Sequence, residues 1–127
     1  MKYVPIRLLG LILLISCEKE TYIDYYVYNQ SSSEIHVDGS NIIHATSIDH
    51  RIHPNEKKEV SSWTKRGKMI DYFEPTSMFG EDLIITNASG DILTTDYKNL
   101  SNWIAEVVDN GATASHEYVF IITDSDF

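Results

Sequence analysis

The chain has 127 residues, 43% of them hydrophobic, and a formal charge of −9. That is the length of one domain with an ordinary apolar share, and the acidic balance gives no electrostatic reason to hold nucleic acid or anionic lipid. Cys17 is the only cysteine, so a disulfide, a cysteine metal cage and a spare nucleophilic thiol are excluded together if that thiol is modified.

The chain opens with Lys2 and Arg7 and then an apolar run from Leu8 to Ile15, broken only by Gly10. A bilayer span needs about 20 apolar residues. A positive start, a short apolar core and a small residue form a secretory pattern instead. The core ends in Leu14-Ile15-Ser16-Cys17, which resembles the lipobox of bacterial lipoproteins. The resemblance implies that residues 1–16 are a signal peptide cut before Cys17. It also implies that the Cys17 thiol takes a diacylglyceryl group, with palmitate-type acyl chains as the membrane anchor. Two or three chains anchor stably where one does so marginally. Removing residues 1–16 leaves 111 residues, and losing Lys2 and Arg7 takes the formal charge from −9 to −11. Residues 17–21 then form the lipidated cysteine and a short tether; Glu18 to Thr21 reach about 14 Å when extended. Residues 22–127 form the domain.

Tyr22 to Tyr28 reads as the first strand, with Ile23, Tyr25 and Val27 on one face and Tyr22, Asp24, Tyr26 and Tyr28 on the other. Glu34 to Val37 resumes the alternation, and Asp38-Gly39 predicts a two-residue hairpin. From Asn41 to His53, an unbroken strand would put His44 and His50 on the core face beside Ile42, Ile48 and Ile52. A bulge or break near Ala45 to Ser47 is therefore expected. Pro54-Asn55 is a turn and Glu59 to Trp63 a short strand. Thr64 to Gly80 has no strand periodicity and reads as a long loop, a class that is functional or mobile. Leu83 to Thr86 and Asp91 to Thr95 are predicted strands around Asn87-Ala88-Ser89-Gly90. Trp103 to Val108 follows, then a hairpin at Asn110-Gly111 and a last strand from Ala114 to Ile122. That last strand is apolar on both faces at its end, as a central strand is.

Seven to eight short strands with turns between them predict an all-β fold, a single antiparallel β-sandwich of immunoglobulin-like or similar type. The layout Tyr26-Val27-Tyr28-Asn29, Ser31, Ser33, Ile35-His36-Val37, Ile52-His53-Pro54-Asn55-Glu56 and Tyr118-Val119-Phe120-Ile121-Ile122-Thr123 resembles small β-sandwich lipoproteins of Bacteroidetes-type bacteria. That resemblance implies anchoring at the outer membrane or cell surface of the cell envelope, with the periplasmic face as the alternative. It assigns no functional residue.

His36, His44, Asp49, His50 and His53 cluster in sequence, but His50 and His53 point to opposite faces of a strand, and a zinc site needs three or four convergent ligands. No metal and no cofactor is expected. A Ser-His-Asp hydrolase lacks a Gly-x-Ser-x-Gly elbow here, so no catalytic residue is assigned. The aromatics are the better lead: Tyr26, Tyr28, Trp63, Tyr72, Phe73, Tyr97 and Trp103 exceed what a small core readily absorbs. Candidate binding residues are Lys65, Arg66 and Lys68, a basic cluster in an acidic domain, with Tyr72 and Phe73 beside them. The expected function is that of a non-enzymatic binding or interaction lipoprotein with a protein or glycan ligand. A small envelope hydrolase, or an inhibitor or immunity-type lipoprotein, is the alternative.

Overall fold

The computed structural model describes residues 19–42, 44–71, 79 and 83–127. The expected signal peptide over residues 1–16, Cys17, and Tyr72 and Phe73 lie outside the described residues. Among the described residues seven strands form: β1 Glu20–Asn29, β2 Ile35–Asn41, β3 Thr46–Ile52, β4 Lys57–Arg66, β5 Ile84–Asn87, β6 Trp103–Asp109 and β7 Thr113–Ile122. They make two sheets, a four-stranded one in the order β4-β1-β7-β6 and a three-stranded one in the order β3-β2-β5. The expected all-β, sandwich-like architecture is present. β7 is central, between β1 and β6. One pairing departs from the antiparallel expectation: β1 and β7 run parallel, from Glu20 opposite Thr113 to Asn29 opposite Ile122.

The core follows from period two. Ile23, Tyr25 and Val27 of β1, with Tyr118, Phe120 and Ile122 of β7, face Ile35 and Val37 of β2, Ile48 and Ile52 of β3 and Ile85 of β5. Tyr25 stacks on Tyr118 with ring centroids 5.2 Å apart and meets the Trp103 ring edge-on at 5.9 Å. Desolvation of the buried Tyr25 hydroxyl pushes its pKa above the ordinary phenol range.

The strands differ from expectation in three places. β2 runs straight through Asp38-Gly39, and the β2–β3 turn lies beyond Asn41, with Ala45 at φ 50. Gly39 serves close approach rather than a turn: a Cβ there would sit 2.9 Å from the Leu83 Cα. The break places Ile48 and Ile52 in the core and leaves His44 exposed, while His50 stays half-exposed on the edge strand. β4 is twice the expected element, because pairing with β1 extends to Glu20 opposite Arg66. A bulge opposite Tyr25 and Tyr26 turns Val60 and Ser61 inward together. Asp91 to Thr95 forms no strand, only a bridge from Ile92 to Thr86 and a bond from the Leu93 amide to the Ile85 carbonyl. The Asn110-Gly111 hairpin forms as expected, with Gly111 at φ 84.

A buried asparagine closes one end. Asn29 Nδ2 donates to the Ser33 carbonyl at 2.8 Å and to the Ile52 carbonyl at 2.9 Å. Its Oδ1 accepts from the Ser31 amide and hydroxyl at 2.9 and 2.6 Å. One side chain thereby fixes the crossing from β1 to β2 and the end of β3. At the other end, Thr21 Oγ1 donates to the Gly67 carbonyl at 2.7 Å and accepts from the Met69 amide at 2.8 Å. His116, also buried, donates through Nε2 to the Met69 carbonyl at 2.8 Å. A carbonyl only accepts, so Nε2 carries a proton, and Nδ1 lies 3.1 Å from the Tyr118 hydroxyl.

Candidate functional site

The even-numbered residues of β1 point away from the core, and register decides what lies beside them. Across the four-stranded sheet run three outward rows. Thr64, Tyr22, Ser115 and Val108 form the first; Ser62, Asp24, Glu117 and Glu106 the second; Glu59, Tyr26, Val119 and Ile104 the third. Lys57, Tyr28 and Ile121 extend the face beyond them. Ile104 is 58% exposed, and Tyr22 and Val108 are exposed as well. The face therefore joins tyrosines and aliphatic side chains to a band of carboxylates.

That band is electrostatically crowded. Asp24 lies opposite Glu117, and Glu117 opposite Glu106; like charges directly opposite destabilise a sheet. Partial burial raises the Asp24 pKa first, and the negative charges of Glu59 and Glu117 raise it further. Lys57 relieves part of this. Its ammonium reaches across from β4 to pair with Glu117 and lies 4.4 Å from the centroid of the Tyr26 ring. An ammonium held between a tyrosine face and a carboxylate is a cation–π arrangement with a counter-ion. At the start of the strand a phenol and a carboxylate pair directly: the Tyr22 hydroxyl donates to Glu20 Oε2 at 2.7 Å.

The residues singled out from sequence are distributed differently. Lys65 and Arg66 belong to β4 rather than to a loop, and Lys68 is tied to the β6–β7 hairpin by Asp109 Oδ1 at 2.5 Å and the Gly111 carbonyl at 2.9 Å. The Lys68 ammonium holds the Asp109 carboxyl below its usual range. Among the aromatic candidates, Trp103 is buried and donates from Nε1 to the Tyr97 carbonyl at 2.7 Å. Trp63 and Tyr97 are half-buried against the core. Tyr26 and Tyr28 stay on the outer face. Tyr22, absent from the sequence-derived candidates, joins them there.

The histidines do not converge: among the described residues no group of three or more His, Cys, Asp or Glu side chains could hold a metal ion. His36 pairs with Asp49 at 2.7 Å and His53 with Glu34 at 3.1 Å. All four of these side chains are solvent-accessible. The buried histidine, His116, bonds a carbonyl and a phenol, neither of which is a carboxylate. A cavity of about 430 Å³ is lined by Leu100, Ser101, Trp103 and Ala105; none of these carries an acid or base.

A scan against protein-family models, a search of the curated proteins and a search of the solved structures each found no match.

Proposed function

We propose that this protein is a lipid-anchored binding module of the bacterial cell envelope. It works without catalysis, and it takes a lysine- or arginine-rich polypeptide segment on the outer face of the β4-β1-β7-β6 sheet. Lipidation rests on the lipobox at Cys17. The binding face rests on one observation: Lys57 lies against the Tyr26 ring and Glu117. The sheet thus already seats one ammonium of its own. In the register Asp24 and Glu106 flank Glu117, and Glu59 is opposite Tyr26, a band where carboxylates outnumber bases. A cationic partner would supply the missing counter-charge, and Tyr22, Tyr28, Ile104, Val108 and Val119 give its stem atoms apolar surface. Aromatic and aliphatic contact areas with charged surroundings are common at protein interfaces.

The test is nuclear magnetic resonance titration with a peptide alternating lysine and leucine, against the same peptide with glutamate for lysine. The lysine peptide is expected to shift Tyr22, Asp24, Tyr26, Glu106, Glu117 and Val119. Asp24→Asn with Glu117→Gln is expected to weaken binding at least fivefold. Asp38→Asn with Asp91→Asn, the same charge change elsewhere, is expected to leave it within twofold. Equal losses in the two pairs would mean that net charge alone attracts the peptide, and the site is wrong.

A further inference from the structure

We infer that the end of the sandwich where β1 begins is a second membrane contact, seated on the zwitterionic headgroups of the bilayer that holds the anchor. This rests on the lipidation of Cys17 under the proposed function. Strand direction settles which end is meant. β1 starts at Glu20, antiparallel β4 finishes there at Arg66, and the β6–β7 hairpin lies there because Glu20 is opposite Thr113. β2 begins beside the far end of β1, where Asn29 Nδ2 donates to the Ser33 carbonyl, and so runs back toward this end; Asn41 Nδ2 at its finish donates at 2.6 Å to Ser61 of β4, opposite Tyr25 halfway along β1.

Chain length decides the distance. The Lys19 carbonyl accepts from the Gly67 amide at 2.6 Å, so the chain is fixed to the fold from Lys19 onward. Lys19 is two residues after Cys17, a reach of about 7 Å. A domain on so short a tether keeps this end at the level of the lipid headgroups.

What the end presents suits that place. Ile70, on the segment after β4, is 59% exposed, and Ile42, on the β2–β3 turn, is 57% exposed. They come from separate loops: Ile70 follows the end of β4, and Ile42 is on the turn that β2 reaches as it runs toward this end. Lys19, Lys65, Arg66 and Lys68 gather at this end of an acidic domain, with Glu20, Asp71 and Asp109 among them. Mixed charges match a zwitterionic headgroup, whose phosphate takes the ammonium and guanidinium groups and whose amine takes the carboxylates. Isoleucines between them match the boundary of the acyl region. The segment bearing Ile70 is held in place by the Thr21 and His116 bonds to Met69, so its exposure is built into the fold.

The experiment uses the full chain, processed in a bacterium, purified and reconstituted in vesicles of phosphatidylethanolamine and phosphatidylcholine. An environment-sensitive fluorophore is placed at Ile70→Cys, at Ile42→Cys and, on the opposite end, at Ser125→Cys. Quenching by lipids spin-labelled near the headgroup is then read, and mass spectrometry of the same sample reads the lipid on Cys17. The expected result is at least twofold stronger quenching at positions 42 and 70 than at 125. Lipid on Cys17 with equal quenching at all three positions overturns the contact and leaves the anchor standing. No lipid on Cys17 overturns the anchor, and the contact falls with it.

Discussion

Replacing Asn29 by Asp changes one atom of a buried side chain and reverses its role. Asn29 Nδ2 donates to the Ser33 and Ile52 carbonyls, while Oδ1 accepts twice from Ser31. A carboxylate keeps the two accepted bonds and sets an oxygen against two carbonyl oxygens. Each lost bond is worth about 1 kcal/mol, and leaving a buried acceptor unmatched adds about 1–3 kcal/mol. We expect Asn29→Asp to cost about 3–5 kcal/mol at pH 7. At about 4 °C per kcal/mol for a domain of this size, the melting temperature falls by roughly 12–20 °C. The pH dependence has a definite sign. Facing acceptors, the carboxyl has a folded-state pKa above its unfolded value, so stability is lost as pH rises through the folded pKa. Below the unfolded value, about 3.9, the acid is neutral in both states and can donate one bond, and the penalty shrinks. Urea denaturation of wild type and variant at pH 7 and pH 4 reads both effects. A variant within 1 kcal/mol of wild type at pH 7, or a gap that widens on acidification, would refute the role given to Asn29.

Thr21→Val removes the bonds to Gly67 and Met69 without changing shape; we expect a loss of about 1–3 kcal/mol and faster hydrogen exchange at the Met69 amide. Gly39→Ala drives a Cβ to 2.9 Å from the Leu83 backbone and is expected to cost about 1–3 kcal/mol by overpacking, measured as a lower urea midpoint with unchanged slope. Asp24→Asn removes a carboxyl whose raised pKa opposes folding when charged. It should stabilise slightly at pH 7, and the gain should vanish once the pH is below the ordinary aspartate value. The same change weakens peptide binding, so stability and binding move in opposite directions. Chelators are expected to leave the melting temperature unchanged.

Period-two alternation made β1 and β7 legible, since each has one face buried along its length, and β6 as well, where Trp103 is buried and Ala105 and Val107 are half-buried on the same side. It failed for the far half of β4, where Thr64, Lys65 and Arg66 carry no apolar alternation because that stretch lies on a sheet edge and is held by its pairing with β1. Asp38-Gly39 has the chemistry of a hairpin, yet the glycine answers to Leu83 on another segment, a contact that local sequence cannot announce. The candidate face was half legible. The parity of Tyr22, Asp24, Tyr26 and Tyr28 sets them on the outer side of their strand, but their neighbours Lys57, Glu59 and Glu117 come from a register between distant strands. In sequence the basic cluster Lys65, Arg66 and Lys68 has the look of a loop interface. The structure instead splits it between the end of β4 and an ion pair with Asp109.

Anchoring at Cys17 is the premise on which the envelope location, the short tether and the membrane-seated end all depend. Cys17→Ala gives an ambiguous fractionation, because an uncleaved precursor would stay bound through Leu8 to Ile15. Intact mass spectrometry of the wild-type protein, purified after labelling with a fatty-acid analogue, is direct. The account predicts a chain that begins at Cys17, lacks residues 1–16 and carries labelled acyl chains. A chain that retains Met1 to Ser16, or one that begins elsewhere with an unmodified Cys17, would contradict it.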